Sequence, residues 1–397
     1  MSELEPHADR RSAADAAGGL LRKDKLIVLA LFLMAIAAAV GVHVAGNGAP
    51  TTGPAPGPLK ASAVGEFRGI SLQLHGGEAS KPYETYIDQI AGTGANTICL
   101  VVAAYQENCA STSIFIDLRR TPPDARLTKL INHAHRKGLR VVLMPIVLLE
   151  NGRSDEWRGK IQPANNNWDD WWEDYTNYVM HYARLAAGSK VELFMVGSEL
   201  VSTEAQADRW RGLIKRVRKA YKGRVSYSAN WDHYTPIQWW GDLDIVGMTT
   251  YYDLTKGDEP TVERLSKSWA AIKADILKWR KKINRPILFT EVGWPNQTTG
   301  AQFPWDYYRS PNKPDPEGQA NCFEAFFRTW IAEEDVAGFL VWEWVNYPGQ
   351  KTDPETDTSY VPCGKPAMDV IRRYFRYPSP HGPPASRPAT RPVDGPG

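Results

Sequence analysis

Eight short apolar runs recur between residues 65 and 378, and helix-like stretches alternate with them. Helix-like stretches follow seven of these runs, and a last one, 366–375, closes the ring. This alternation is typical of a parallel sheet covered by helices. A count of eight favours a closed (β/α)8 barrel, the TIM barrel, over an open doubly wound sheet. The predicted strands are 67–74, 96–104, 139–148, 191–197, 224–229, 243–250, 286–292 and 337–344.

A different apolar pattern precedes the barrel. The run from Leu26 to Ala45 is interrupted only by His43 and is long enough to cross a ~30 Å hydrocarbon core as one helix. Basic residues precede it, which predicts that residues 1–25 are cytoplasmic and that the chain beyond the span lies outside. A cleaved signal peptide is the alternative, favoured by small residues within the run, whereas the long N-terminal segment favours an uncleaved anchor.

Two further segments are predicted to lie outside the folded domain. Residues 46–64, rich in Gly, Pro, Ala and Thr, are predicted to form a flexible linker. Residues 379–397 contain repeated prolines and are predicted to be a disordered tail. The domain of interest is therefore 65–378.

Composition narrows the classes of function. A chain of 397 residues with 43% hydrophobic content can build one large core, and a net charge of +2 argues against nucleic acid as a partner. The four cysteines are too few for a disulfide scaffold, although Cys322 and Cys363 could pair outside the cytoplasm. No cysteine or histidine spacing matches a metal site, and no cofactor is expected.

Two glutamates end apolar runs at equivalent places in the predicted barrel. Glu199 stands in Val-Gly-Ser-Glu-Leu and Glu291 in Leu-Phe-Thr-Glu-Val-Gly-Trp. At ~31 residues per βα unit they would end strands 4 and 7, on the face where barrels carry their chemistry. Glycoside hydrolysis needs one protonated and one ionised carboxyl group. The pattern therefore predicts a glycosidase site, the alternative being that each glutamate caps a helix or pairs with a lysine.

Other polar and aromatic residues at the strand ends are candidates for contact with the sugar. Tyr251 could hold Glu291 in position. Alternation along strand 8 places Trp342 and Trp344 on one face, with Trp344 the better platform under the reacting sugar. Asn230 and Trp294 are further candidates. Trp157 and Arg158 could equally pack their loop, and His75 could serve as a structural hydrogen-bond donor.

The region from 66 to about 345 resembles glycoside hydrolase family 113, which is part of a large clan of retaining barrel enzymes. Characterised members of this family are β-1,4-mannanases. The resemblance implies Glu199 as acid and base and Glu291 as nucleophile, with Tyr251, Asn230 and the strand 8 tryptophans around the sugar. It rests on six segments in this order: Phe-Arg-Gly-Ile (67–70), Trp-Arg-Gly-Lys-Ile (157–161), Val-Gly-Ser-Glu-Leu (196–200), Tyr-Ser-Ala-Asn (227–230), Thr-Glu-Val-Gly-Trp (290–294) and Trp-Glu-Trp (342–344).

Two departures from the family's pattern concern strands 2 and 3. Family members are expected to carry Lys-Pro-His on strand 3, where this chain has Met144-Pro145-Ile146. The arginine that many clan members place on strand 2 is missing, and Arg68 on strand 1 could substitute for it.

These observations predict a membrane-anchored retaining endo-β-1,4-mannanase that acts on an extracytoplasmic β-linked polysaccharide. The same mechanism on another β-linked glycan is one alternative, since loops decide the sugar. A non-catalytic carbohydrate-binding barrel of the cell envelope is the other.

Overall fold

The computed structural model describes residues 67–76, 82–306, 313–345 and 352–376. The predicted membrane span at 26–45, its flanking segment 1–25, the linker 46–64 and the tail 379–397 lie outside these residues. None of the helices in the described ranges is both long and apolar enough to cross a membrane.

Eight parallel strands pair in chain order and close into a barrel, with β8 returning to β1. The predicted count and order of strands are therefore confirmed. The strands are β1 Phe67–Gln73, β2 Thr97–Gln106, β3 Arg140–Leu149, β4 Leu193–Ser198, β5 Arg224–Ala229, β6 Val246–Thr249, β7 Ile287–Val292 and β8 Val336–Val341.

Helices follow most strands, and the predicted closing helix 366–375 is confirmed. The connection from β5 to β6 departs from the prediction, because it contains only a 3-10 turn, Trp240–Asp242. This connection is short and contains Pro236, which an α-helix does not accommodate in its interior. The α-helices are α1 Tyr83–Gly92, α2 Asp124–Arg136, α3 Trp168–Gly188, α4 Ala207–Ala220, α5 Val262–Ile283, α6 Pro316–Trp330 and α7 Pro366–Phe375.

The core has an inner and an outer layer, as strand alternation requires. On β2, Cys99, Val101 and Ala103 belong to the cluster inside the barrel, whereas Ile98 and Leu100 belong to the larger cluster between strands and helices. The buried aromatic residues of α3 lie in the outer cluster. The inner cluster fills the interior of the barrel with mostly apolar side chains.

The cysteines form no bridge in the described ranges. Cys99, Cys109 and Cys322 are buried free thiols and Cys363 is a half-buried one. The suggested pairing of Cys322 with Cys363 is therefore wrong.

Candidate active site

Glu291 lies at the end of β7, where a bulge turns its side chain into the barrel. The register of β7 against β8 shifts between Phe289 and Val292. Those two residues pack in the outer core. Thr290 and Glu291 both face inward, the first bonding to a serine hydroxyl of β5 and the second accepting a 2.8 Å hydrogen bond from the Tyr251 hydroxyl. Bulges beside active sites commonly re-aim a side chain in this way.

Glu199 follows β4 in a left-handed turn, with φ of 52°. Such a conformation is uncommon for residues other than glycine and is found at functional sites. Its carboxylate Oε2 accepts a 2.6 Å hydrogen bond from Nη2 of Arg158. Gly197 permits the approach to this turn, because a Cβ there would lie 2.4 Å from the Tyr175 hydroxyl.

Buried aromatic side chains hold the turn after Glu199. The amide of Leu200 donates to the Tyr227 hydroxyl at 2.8 Å. The indole N–H of Trp210 donates to the backbone carbonyl of Thr203, and that of Trp239 donates to the backbone carbonyl of Glu204, both at 3.1 Å. The left-handed backbone at Glu199 is thus stabilised by hydrogen bonds made in the outer core.

A second carboxyl group, Glu204, anchors this aromatic support. The Tyr227 hydroxyl donates to Glu204 Oε1 at 2.6 Å, and Nδ1 of His233 lies 2.6 Å from its other oxygen. Burial raises the pKa of Glu204 to about 7, although the bonds from Tyr227 and His233 lower it. The carboxylate of Glu204 contacts Tyr227, which in turn bonds to the residue after Glu199. Glu204 can therefore position Glu199 without contacting a sugar.

Arg158 reaches the site from the loop between β3 and α3. That loop pairs with the loop after β2 through the amide of Gln162, which donates to the carbonyl of Cys109 at 2.8 Å. The Trp157 ring lies directly against Gly159, where a Cβ would be 2.3 Å from the indole. Trp157 therefore packs the loop, and Arg158 alone of the pair contacts a catalytic candidate.

Charges are unevenly distributed between the two glutamates. Burial and the charge of Glu199 raise the pKa of Glu291 to about 8, against Arg158 and the Tyr251 hydroxyl, which lower it. Burial lowers the pKa of Arg158, but the two carboxylates outweigh this and raise it, so the guanidinium stays charged. Glu291 therefore favours its protonated form at neutral pH, and Arg158 lies as a cation beside Glu199.

Glu343 is a further buried carboxyl group at this end of the barrel, and the predicted site residues did not include it. It is 3% exposed, and the Gln73 amide donates to its Oε2 at 2.6 Å. Burial raises its pKa to about 8, the bond from Gln73 lowers it and the charge of Glu291 raises it. Its place between two tryptophans at the end of β8 was the one available sequence signal.

The tryptophans predicted to line the cleft occupy different layers. Trp342 is half-buried and packs on the inner cluster. Trp344 is 2% exposed, packs in the outer cluster and directs its indole N–H to Gln89 of α1 at 3.3 Å. The expectation that Trp344 forms the sugar platform is wrong, because β8 ends at Val341 and strand alternation does not extend to these residues.

Trp294 is likewise misplaced by the sequence prediction. It is fully buried in the outer core and packs against Phe323 and Trp269. It cannot contact a sugar in this arrangement.

Two polar candidates lie at the rim of the barrel. Asn230 is half-buried at the end of β5 and donates from its side chain to Asp232 at 2.7 Å. His75 is half-buried beyond the end of β1, and burial lowers its pKa, so it is neutral near pH 7. Both remain candidates for sugar contact.

The structure shows the contacts of the residues involved in the two departures from the family pattern. Arg68 does not replace the missing strand 2 arginine, because its Nη1 bonds to the backbone carbonyl of Phe375 in the last helix. Arg158 provides the guanidinium instead. Ile146 is 4% exposed and packs in the inner cluster, so its side chain is part of the barrel filling.

An exposed aromatic stack, not predicted from the sequence, stands at the same end of the barrel. Trp231 follows β5 and Trp305 lies between β7 and α6; their rings are 5.6 Å apart and 17° from parallel. Trp305 is 44% exposed, unlike most tryptophans of the domain. Flat amphipathic rings of this kind can stack on the apolar face of a sugar.

No group of three or more His, Cys, Asp or Glu side chains that could hold a metal ion occurs in the described ranges.

Known proteins share this architecture and, in part, this sequence. Residues 75–365 match the profile of Glycoside Hydrolase Family 113. A family 113 β-mannanase from Alicyclobacillus acidocaldarius, solved in complex with ManMIm, is 28% identical, with a TM-score of 0.70 over 80% of this chain and 99% of that chain. A complex structure of a family 113 β-1,4-mannanase is also 28% identical, with a TM-score of 0.67 over 79% and 99% of the two chains.

More distant structures share only the fold. The endo-β-1,4-mannanase from Thermotoga petrophila is 11% identical, with a TM-score of 0.53 over 78% of this chain and 76% of that chain. A search of the curated proteins found no match. Because the profile match extends over well over half of the chain, this protein belongs to glycoside hydrolase family 113 and is a glycoside hydrolase.

Proposed function

We propose that this protein is a retaining endo-β-1,4-mannanase that works by double displacement, with Glu199 as acid and base and Glu291 as nucleophile. The observation that carries the proposal is the convergence of these two buried glutamates from β4 and β7, close enough for the charge on one to raise the pKa of the other. Two carboxyl groups at one cleft, each with different partners, can supply one acid and one nucleophile.

In the first step, the Glu291 carboxylate attacks the anomeric carbon and the bond to the leaving oxygen breaks. The proton of Glu199 goes to that oxygen. In the second step, water gives a proton to the Glu199 carboxylate and attacks the same carbon, which releases Glu291 and a sugar with retained configuration. The Tyr251 hydroxyl stabilises the ionised form of Glu291 in both steps.

The resting arrangement differs from the reactive one in the position of one charge. Arg158 pairs with Glu199, whereas the proposed first step begins with Glu199 protonated and Glu291 ionised. Arg158 also lowers the pKa of Glu291. We infer that an entering sugar separates Arg158 from Glu199, so that the proton moves to Glu199 and the guanidinium favours the ionised nucleophile.

Mannan is proposed as the substrate because the two relatives at 28% identity are described as β-mannanases. The Trp231 and Trp305 stack supports a cleft for several sugar units, as endo action requires. Ile146 favours the second candidate, the same mechanism on another β-linked glycan, because an apolar side chain stands where a histidine is expected in the family. Action outside the cytoplasm is proposed from the apolar run at 26–45.

The proposal is tested by sugar release from β-mannan, glucomannan, cellulose and xylan by the full-length chain in detergent, with Glu291→Ala as the control. Release from mannan that the variant lacks is the expected result. Release from a different glycan would keep the mechanism and replace the substrate. A folded wild type with no release from any polymer would contradict the proposal and support a carbohydrate-binding barrel.

A further inference from the structure

The surroundings of Glu343 favour a neutral carboxylic acid. The side chain is almost completely buried, and its hydrogen-bond donor is the uncharged amide of Gln73. In the described part of the chain no cation pairs with Glu343, and its Oε1 has no hydrogen-bond partner. A buried carboxylate without a cation is costly, so a proton on Oε1 is the cheaper arrangement.

Two other carboxylates of the domain are paired with cations. Glu199 is paired with Arg158, and Asp357 lies 3.0 Å from the buried ammonium of Lys365. Glu343 has no such partner, although it is buried as deeply as Glu199. The contrast indicates that the protein keeps the carboxyl group of Glu343 uncharged.

Neighbouring charges act in the same direction. The groups that bear on Glu343 are Gln73 from β1, which is neutral, and Glu291 from β7, which is an acid. Arg158 and Glu199 act on Glu291. Burial and the charge of Glu291 raise the pKa of Glu343 to about 8 against the bond from Gln73, which lowers it. An ionised Glu343 would also oppose ionisation of the nucleophile.

We propose that Glu343 is a neutral hydrogen-bond donor that gives its Oε1 proton to a hydroxyl group of the pyranose held between Glu199 and Glu291. The inference rests on the proposed function, since it assigns a sugar contact within that site. The half-buried Trp342, its neighbour in the chain, packs on the inner cluster, and Glu343 is close enough to Glu291 for the charge of Glu291 to raise its pKa. A donor that is neutral adds no charge beside the nucleophile.

Glutamine replaces a protonated glutamate closely in shape and can donate a hydrogen bond, whereas alanine cannot. At pH 6, E343Q is therefore expected to keep kcat/KM within about threefold of wild type, and E343A to lose roughly 10- to 100-fold. Glu173→Gln, the same chemical change on the exposed face of α3, is the matched control. Thermal unfolding checks that each variant is folded.

Two kinetic outcomes would overturn the inference. If E343Q loses as much activity as E343A, the site needs an ionised carboxylate. If E343A loses less than about twofold, no hydrogen bond to the sugar is made there.

A second readout does not depend on turnover. Infrared difference spectra of the full-length wild type minus E343Q at pH 6 are expected to show the carbonyl stretch of one protonated carboxyl group, which is lost above pH 9. Activity without this band overturns the inference and leaves the proposed function standing. The band without activity on any glycan overturns both the proposed function and the sugar contact.

Discussion

The turn after β4 and the end of β7 each present one glutamate to the same cleft, but they do so by different means. At Glu199 the backbone is left-handed and the carboxylate is paired with the guanidinium of Arg158. At Glu291 the backbone stays in the strand with a bulge, and the carboxylate bonds to the neutral hydroxyl of Tyr251. One glutamate is thus compensated by a cation and the other is left in a site that disfavours its charge.

This difference shows that the position of each catalytic carboxyl group and its charge state depend on different parts of the molecule. The ends of two strands bring both carboxyl groups together, whereas the loop after β3 supplies the cation that distinguishes them. The charge distribution of the free protein is therefore adjustable by movement of one loop residue. Four variants test this comparison, from the largest expected effect to the smallest.

Removing the β7 carboxyl group should have the largest effect. Glu291→Ala is expected to lower kcat on the order of 10⁴-fold, because no nucleophile remains. Added azide should restore turnover of an activated aryl β-glycoside and yield the α-glycosyl azide, since azide enters from the face that Glu291 occupied. Product stereochemistry by proton NMR is the measurement. A β-glycosyl azide would mean that the roles of the two glutamates are reversed.

Removing the β4 carboxyl group should produce a loss that depends on the leaving group. Glu199→Ala is expected to lose about 10²- to 10⁴-fold on mannan, where the leaving oxygen needs a proton. On a dinitrophenyl β-glycoside the first step should be nearly unaffected, because that leaving group departs without protonation. Pre-steady-state release of the phenol measures this step. Equal losses on both substrates would contradict an acid role for Glu199.

Removing the cation should make the two regions more alike. Arg158→Gln is expected to lower kcat/KM about 10- to 100-fold and to move its acidic limb to higher pH, because Arg158 lowers the pKa of Glu291. Arg158→Lys, which retains a charge, should move the limb much less. The measurement is the profile of kcat/KM against pH for wild type and the two variants. If the acidic limb of Arg158→Gln stays at the wild-type pH, the role of Arg158 is purely structural.

The smallest effect on activity is expected from the support beneath the β4 turn. Burial raises the pKa of Glu204 from its ordinary value of 4.5 to about 7. Between these values the folded state holds a proton that the unfolded state has lost, so the free energy of unfolding decreases as pH rises through this window. Glu204→Gln should remove about 3 kcal/mol of that decrease.

Urea unfolding of wild type and the Glu204→Gln variant at pH 4.5, 6 and 8 measures this effect. Tyr227→Phe, which removes a hydrogen bond without removing a titrating group, is the control. Parallel pH dependence in wild type and Glu204→Gln would show that Glu204 titrates normally.

Regular periodicity made much of the fold predictable. The apolar runs and their spacing identified eight strands, and the closing helix 366–375 was located to the residue. The connection from β5 to β6 was misjudged, because it contains Pro236 and forms only a 3-10 turn. Glu199, Glu291 and Tyr251 could be singled out because strand ends can be read from sequence, whereas the layer occupied by Trp344 depends on where β8 stops.

The sequence by itself determined the barrel and placed one glutamate at each of two strand ends, because hydrophobic periodicity and chain order are local properties. Tertiary structure alone decided that Arg158 pairs with Glu199, that Glu343 stands uncompensated beside Gln73, and that Trp294 and Trp344 pack in the outer core. Those outcomes depend on contacts between residues far apart in the chain, and the charge state of a carboxyl group depends on burial and neighbours that no local pattern contains.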